Sequence, residues 1–562
     1  MAKHNIRQPL ALQLTNHSDA TTNHEGALAF TLDPRSRLYT RASSSLIGEK
    51  KFYADAQTCD EELIADIKAA AELDPEFILR LAAYARQVLN MRSAPIVLLV
   101  EAACIPACKP FVRKWTPAII RRADEPAEAI AYWIKRHGNI GARGPKGGEH
   151  AFPKSLSRGI ADSFARFGEY HIAKYNRDGS VKLRDVLRIT RPKPKGDAQS
   201  ALFRYVVKGE TDTALLPMLA ARNELLRKTE FDAEAVELVK KSQATWEVAI
   251  SKFGSKAEVW DSLELPFMAG LRNISNLMRA GADKALSRVV AMLQNPDHVR
   301  RSKQLPFRFY SAYRMIEGQD PHNHWMMFRA APQKAFSDNP RYAEVLEALQ
   351  TALELSLANV PRLSGRTFIT SDNSGSMRSP LSERSSVAYR DVANLMAALS
   401  HSLCENAICS VFGQSHRVVP VIRKDSILTN MAKLANTEVG HSTNAYLAIQ
   451  HLRETGTRVD RIILFSDMQC YSTGESSSRH WWGADQSLAE ELGKYRSSVN
   501  PGVFIYSVDL AGYGTSQFPQ SDPRVALLAG WSEKLLEFIP LFEEEGVQAV
   551  DRINTWEPPK AR

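Results

Sequence analysis

The chain has 562 residues, 44% of them hydrophobic and 24% charged, with a formal net charge of +9. That length can bury a large core and fits roughly three or four domain-sized units. Its six cysteines form no CxxC pair, and so few in a long chain argue against a disulfide-stapled secreted framework.

The opening residues, Met1-Ala2-Lys3-His4-Asn5-Ile6-Arg7, lack the apolar centre of a signal peptide. The apolar run at 94–103 contains Glu101 and is too short to cross a bilayer. A soluble, cytoplasmic protein is expected. Residues 1–24 read as a loose N-terminal segment. From 60 to 358 apolar residues recur at helical spacing. Helices are predicted at 61–89, 127–136, 156–167, 233–252, 266–280 and 342–357. In the first of these, Leu63, Ile67, Ala71 and Leu73 share a face, and Phe77, Leu79 and Leu81 follow Pro75. Many short helices, punctuated by Pro and Gly, fit a helical solenoid better than a compact bundle, although no clean repeat of fixed period stands out. Residues 25–360 are therefore expected to form a helical repeat domain.

The charge is concentrated. Residues 109–195 carry 20 Lys and Arg against 8 Asp and Glu, an excess of 12, so the rest of the chain nets −3. A basic patch of this kind suits a polyanion, and it also suits a solvated face. The candidates for phosphate contact are Lys135, Arg136, Arg143, Lys146, Lys154, Arg158, Lys174, Arg177, Arg184, Arg188 and Arg191. Lysine offers a mobile point charge, and arginine offers a fork that grips phosphate or stacks on a base. Arg143 and Lys146 stand in a Gly-rich basic loop, 138–148, that lacks the G-K-[ST] ending of a Walker loop. Such a loop can wrap an RNA backbone or be a plain surface turn. Tyr132, Trp133, Tyr170 and Tyr175 interleave with the charges and can stack on unpaired bases or simply fill the core.

From about 364 onward the pattern changes to alternating strands and helices. Strands are predicted at 367–371, 407–412, 418–422, 461–466 and 503–508, and helices at 386–400, 445–452, 486–496 and 525–542. This is the signature of a mostly parallel sheet covered on both faces, here over 361–545, followed by a tail at 546–562. Asp372-Asn373-Ser374-Gly375-Ser376 follows the first strand and precedes a helix. The carboxyl end of a strand in such a sheet is where ligands bind. One carboxylate and two hydroxyls are hard oxygen donors suited to Mg²⁺, which takes few protein ligands and keeps several waters. The same residues can also serve as a helix cap. Two later loops bring Thr443, before a helix, and Asp467, at the end of the apolar strand Ile462-Ile463-Leu464-Phe465-Ser466.

The ordered set Asp372, Ser374, Ser376, Thr443 and Asp467 resembles the metal-ion-dependent adhesion site of von Willebrand factor A domains, at all five positions. A helical stretch followed by such a domain resembles the Ro autoantigen family, whose helical part is the TROVE domain. The run from Pro266 to Ile274, PFMAGLRNI, is similar to the family's P-x-x-A-L-L-R-N-L helix. Leu305-Pro306-Phe307-Arg308 resembles its H-P-F turn, and Lys174-Tyr175 with Leu183-Arg184-Asp185-Val186-Leu187-Arg188 resembles its K-Y and H-K-D-L-L-R segment. Phe465-Ser466-Asp467 stands where the family has F-T-D.

The resemblance implies a ring of HEAT-like helical repeats closed by a doubly wound α/β von Willebrand factor A domain, acting as a monomer. It implies binding of small Y RNAs on a basic outer face and of single-stranded RNA ends in the ring cavity, in RNA quality control or stress-related processing. It further implies a divalent cation, Mg²⁺, whose shell is completed by a partner's acidic group, and a 3′ exoribonuclease as partner. Arg191 stands where the family has a histidine that contacts Y RNA, so that contact is altered here. Arg272 and Asn273 read as helix-bridging residues. The competing class is a metal-dependent protein-interaction module on a helical scaffold. A third, an enzyme acting on RNA, lacks a clustered carboxylate pair or a nucleophile elbow in the helical region, so a non-catalytic protein is expected.

Overall fold

The computed structural model describes residues 19–44, 55–138, 140, 151–176, 179–304, 306–318, 336–357, 360–382, 385, 387–470, 487–531, 534–546 and 548–559. Helices follow one another from Pro34–Ser44 to Tyr342–Leu355, with no strand among the described residues between them. The long helix expected over 61–89 is two, Ala56–Leu73 and Phe77–Gln87. Pro75 ends the first, and the Asp74 carboxylate accepts from the Phe77 N–H at 3.1 Å to start the second. The stretch 233–252 likewise divides into Ala233–Lys241 and Trp246–Phe253, with Gln243 in the left-handed region (φ +46) between them. Neighbouring helices pack through large buried rings, including Trp115, Trp260, Phe77 and Phe164.

One close approach positions the basic stretch. A Cβ built on Gly159 would lie 2.4 Å from Thr116 Oγ1, so only glycine lets Lys154–Ser163 pack this tightly on Lys109–Ile119. The two ends of the array meet. Gln87, Val88 and Asn90 from its beginning share a cavity of about 380 Å³ with Val299, Arg300 and Lys303 from near its end, and with Glu537 of the α/β unit. The beginning and the end of the helical array thus meet at a cavity that the α/β unit also lines.

That unit is a six-stranded sheet in the order β5-β4-β3-β6-β7-β9. Its strands are β3 (Leu363–Asp372), β4 (Cys404–Phe412), β5 (His416–Val419), β6 (Arg461–Ser466), β7 (Phe504–Asp509) and β9 (Val525–Ala529). All neighbours run parallel except β4 with β5. The chain enters at β3, builds outward through β4 and β5, then returns to β6 on the other side. The topological switch point therefore lies between β3 and β6, the position at which such sheets bind ligands. The helix expected over 525–542 is instead β9 followed by the helix Lys534–Glu545. A short apolar run fits a helix or a buried strand equally well, and pairing with β7 decides it. The helix Ile427–Ala435 was not foreseen.

The chain ends are woven into the seam. β1 (Ala20–Thr22), inside the segment expected to be loose, pairs with β2 (Leu28–Thr31), which pairs with β8 (Thr515–Ser516) of the α/β unit. The helix Ala549–Thr555, in the expected tail, packs on Phe77–Gln87, and Arg80 donates to the Asn554 carbonyl. No single described helix is long and apolar enough to cross a membrane.

Candidate metal centre and nucleic-acid interface

β3 and β6 end side by side, with Ser371 opposite Phe465, so their next carboxylates, Asp372 and Asp467, converge at the switch point. Both are buried, as are Ser374, Ser376 and Thr443. The loop after β3 is held by its own groups. The Ser374 N–H donates to Asp372 Oδ1 at 2.9 Å, and the Ser374 and Ser376 hydroxyls lie 3.3 Å apart. The Gly375 N–H donates to the His441 carbonyl at 2.8 Å, which clamps the Thr443 loop against the Asp372 loop. A Cβ on Gly413 would sit 2.8 Å from the Val439 carbonyl, so the end of β4 supports that loop at close quarters. Asn373 anchors the floor by donating to the Leu434 carbonyl at 2.9 Å and accepting from Asn394 at 2.8 Å.

Burial pushes the Asp372 carboxyl well above the ordinary range, and the Asp467 charge beside it adds to the shift. Burial likewise raises Asp467, against hydrogen bonds from Ser376 and the Gln469 N–H and with help from the Glu25 charge. Neither carboxylate is in an ion pair with Lys or Arg among the described residues. Two adjacent acids raised chiefly by burial, ringed by hydroxyls and without a basic partner among the described residues, form a donor set that fits a hard divalent cation. No group of three or more His, Cys, Asp or Glu that could hold a metal occurs among the described residues, so this mixed carboxylate–hydroxyl set is the relevant chemistry. Sequence reasoning missed three contributors. Ser466 donates to Asp372 Oδ2 at 2.7 Å, Gln469 donates its N–H to Asp467 Oδ1 at 3.1 Å, and Glu25 arrives from the far end of the chain. Ser466 stood inside the F-S-D string, where a hydroxyl one residue before the carboxylate was the available signal.

The basic candidates fall on adjacent helices. Arg184 and Arg188 are exposed on Leu183–Thr190, and Arg191 follows as its left-handed cap (φ +48). Their spacing of four and three residues puts all three on one face. Lys154 and Arg158 are exposed four residues apart on Lys154–Ser163, which packs against Leu183–Thr190. Lys135 and Arg136 end the neighbouring helix Glu125–His137. Arg136 lies 3.9 Å from the buried Glu101, and Arg184 lies 3.7 Å from Asp185, so neither is wholly uncommitted. Lys174 is half-buried, with its ammonium over the Tyr170 and Tyr175 rings at 5.5 and 5.4 Å. Arg122, not among the candidates, covers Tyr175 at 4.5 Å, so that ring is already engaged by two cations. Arg143, Lys146 and Arg177 lie outside the described residues.

A family model described as the TROVE domain matches residues 29–242 and 237–324. The chain belongs to the TROVE-domain family. Telomerase protein component 1 of Mus musculus is 29% identical over 303 residues, and that of Rattus norvegicus is 29% identical over 304. The chain spans only 11% of the length of each of these relatives. The RNA-binding protein RO60 of Deinococcus radiodurans is 23% identical over 487 residues, which cover 80% of this TROVE chain and 83% of the relative. The crystal structure of the Deinococcus radiodurans RO (RSR) protein superposes with a TM-score of 0.61 at 17% identity, covering 90% of this chain and 99% of that one. The fold of the TROVE protein, a helical array followed by an α/β unit with a mostly parallel sheet, is thus the fold of that structure.

Proposed function

We propose that this TROVE protein is a non-catalytic RNA-binding protein. It holds a small noncoding RNA of the Y type on its basic outer face and single-stranded RNA ends in the ring cavity, and serves RNA quality control or stress-related RNA processing in the cytoplasm. The observation that carries this reading is the stripe of exposed cations, Lys154, Arg158, Arg184, Arg188 and Arg191, on two packed helices. Spacing along rigid helices matches fixed charges to a fixed phosphate backbone, and most phosphate contacts position rather than specify. The name of the Deinococcus relative, an RNA-binding protein, agrees with it.

In the α/β unit, Asp372, Ser374, Ser376, Thr443 and Asp467 would hold Mg²⁺. When bound, the cation supplies positive charge that grips an acidic group of a protein partner, for which a 3′ exoribonuclease is the candidate. The protein's own residues fix the geometry: Ser466 and the Ser374 N–H orient Asp372, and Gln469 orients Asp467.

The test is crosslinking and sequencing of RNA on the protein recovered from its own cells. A dominant small structured RNA, with crosslinked peptides inside 109–195, is the expected result. Recovery of no RNA above background would overturn the reading and leave the metal-dependent protein-interaction role.

A further inference from the structure

A cavity of about 570 Å³ opens beside the basic stretch, and no residue of the α/β unit lines it. Both arms of the cation stripe run into its rim. The helix Lys154–Ser163 continues directly into Phe164–Arg166, and Arg166 lines the cavity. Beyond Arg191, the exposed Lys193 and Lys195 carry positive charge to the opposite rim. Those four residues from Arg191 span at most about 13 Å. Gly196 (φ +133) then turns the chain into Asp197–Lys208, which packs on Leu183–Thr190. An RNA strand that follows the stripe therefore passes over the mouth of this cavity.

Phe167, Leu202 and Leu215 give the cavity an apolar wall, and Leu215 stays 39% exposed there. Two charged side chains line it, and both are pinned. Glu169 Oε2 accepts from the Leu219 N–H at 3.0 Å, across 50 residues. Arg166 Nη1 donates to the Ile120 carbonyl at 3.1 Å. Among the described residues neither side chain has an ion-pair partner. The two rims are tied together: the Lys195 N–H donates to Gln199 Oε1 at 2.8 Å, and Gln199 Nε2 donates to the Phe164 carbonyl at 3.0 Å. The result is a preformed apolar slot with one fixed acceptor and one fixed cation. Its volume falls within the roughly 300–1,000 Å³ of small-molecule sites, enough for a base and its ribose.

We propose that this cavity receives one unpaired base of the bound RNA, with guanine preferred. The free oxygen and the tethered oxygen of Glu169 accept from the guanine N1–H and N2–H groups. Adenine and cytosine set an acceptor nitrogen beside their amine, which a carboxylate repels, and uracil offers one N–H between two carbonyls. The apolar wall covers the base, as in sites that read an extruded base by its Watson–Crick edge. Arg166 and Lys195 meet the flanking phosphates. The inference rests on the RNA-binding reading and adds base selectivity to phosphate contacts that carry none.

The experiment selects from a pool of stem-loop RNAs that carry a short randomised unpaired segment, using the full chain. The wild type is compared with Glu169→Gln and Gly168→Leu, each checked for folding by thermal melts. Glu169→Gln keeps an acceptor for the Leu219 N–H and replaces the other oxygen with an amide donor. Gly168→Leu adds bulk at the rim, where φ is −94 and a Cβ meets nothing within 4 Å. The wild type should enrich guanine at one position by about five- to a hundredfold over the other bases. Both variants should lose that preference and keep salt-dependent binding. Salt-dependent binding by the wild type without guanine enrichment, or with enrichment that either folded variant keeps, would overturn the inference and leave the RNA reading standing. No binding of any pool member by the wild type would overturn both.

Discussion

Replacing the three cations on the face of Leu183–Thr190 should change the salt dependence of RNA binding by an amount that can be worked out in advance. The variant is Arg184→Ala with Arg188→Ala and Arg191→Gly; glycine is chosen because Arg191 has a φ of +48. Each phosphate contact contributes about 0.7 to 0.9 to the slope of log affinity against log salt. Three contacts give a slope change of about 2 to 3, which at ~0.15 M salt is about a hundredfold in affinity. The proximity of Arg184 to Asp185, at 3.7 Å, discounts one contact. The expected loss is therefore about fifteen- to thirtyfold, with the slope shallower by about 1.5. The assay is fluorescence anisotropy with a labelled stem-loop RNA across a range of KCl concentrations. Thermal melts serve as a control, since the glycine should itself raise stability by up to about 1 kcal/mol. A wild-type slope in a folded triple variant would show that this face does not meet phosphate.

Other outcomes follow from packing and electrostatics. Asp372 and Asp467 have carboxyls raised in the fold, so the metal-free folded state binds more protons than the unfolded chain from about pH 4 toward neutrality. Their contribution is therefore most favourable in acid and is lost as pH rises; millimolar Mg²⁺ should raise the melting temperature near neutral pH, through a stabilisation of about 2.7 kcal/mol at a hundred times Kd. An unresponsive melting temperature in calorimetry would count against the cation site. Gly159→Ala should cost about 1 to 3 kcal/mol in chemical denaturation, because its Cβ would meet Thr116 Oγ1 at 2.4 Å; a neutral effect would mean the two helices separate freely. Arg461→Met strips Glu543 of a partner held at 2.6 Å and should cost about 3 kcal/mol or more, since it leaves a largely buried carboxylate with only the Tyr506 hydroxyl. An urea midpoint equal to wild type would refute that.

What could be read from the sequence was local. The apolar strand Ile462-Ile463-Leu464-Phe465 is buried and ends in a polar pair, which is enough to aim Asp467 at a sheet edge. The spacing within Asp372-Asn373-Ser374-Gly375-Ser376 placed three donors in one loop, and the structure brings them together. The face shared by Arg184, Arg188 and Arg191 follows from helical spacing alone. Long-range pairing was not legible. Val525–Ala529 reads as helix until its parallel partner β7 is known. The turn at Asn23 meets the loop after β6 because Asn23 bonds to the Cys470 carbonyl across 447 residues, and no local pattern encodes that meeting. Tyr175 shows the opposite limit: its aromatic character suggested stacking on bases, whereas Arg122 and Lys174 already cover it.

The weave at the seam also constrains how the protein is made. Asp33 bonds to Gln520 across 487 residues, and Arg80 reaches Asn554 across 474. A ribosome releases the N-terminal helices long before those partners exist. The hairpin and the first helices must therefore wait, with their apolar faces incompletely covered, until residues 515–554 have emerged. Such distant contacts make for slow folding and for aggregation-prone intermediates. The last strands and the final helix then act as the latch, so truncation near the C-terminus should cripple assembly at the opposite end of the chain.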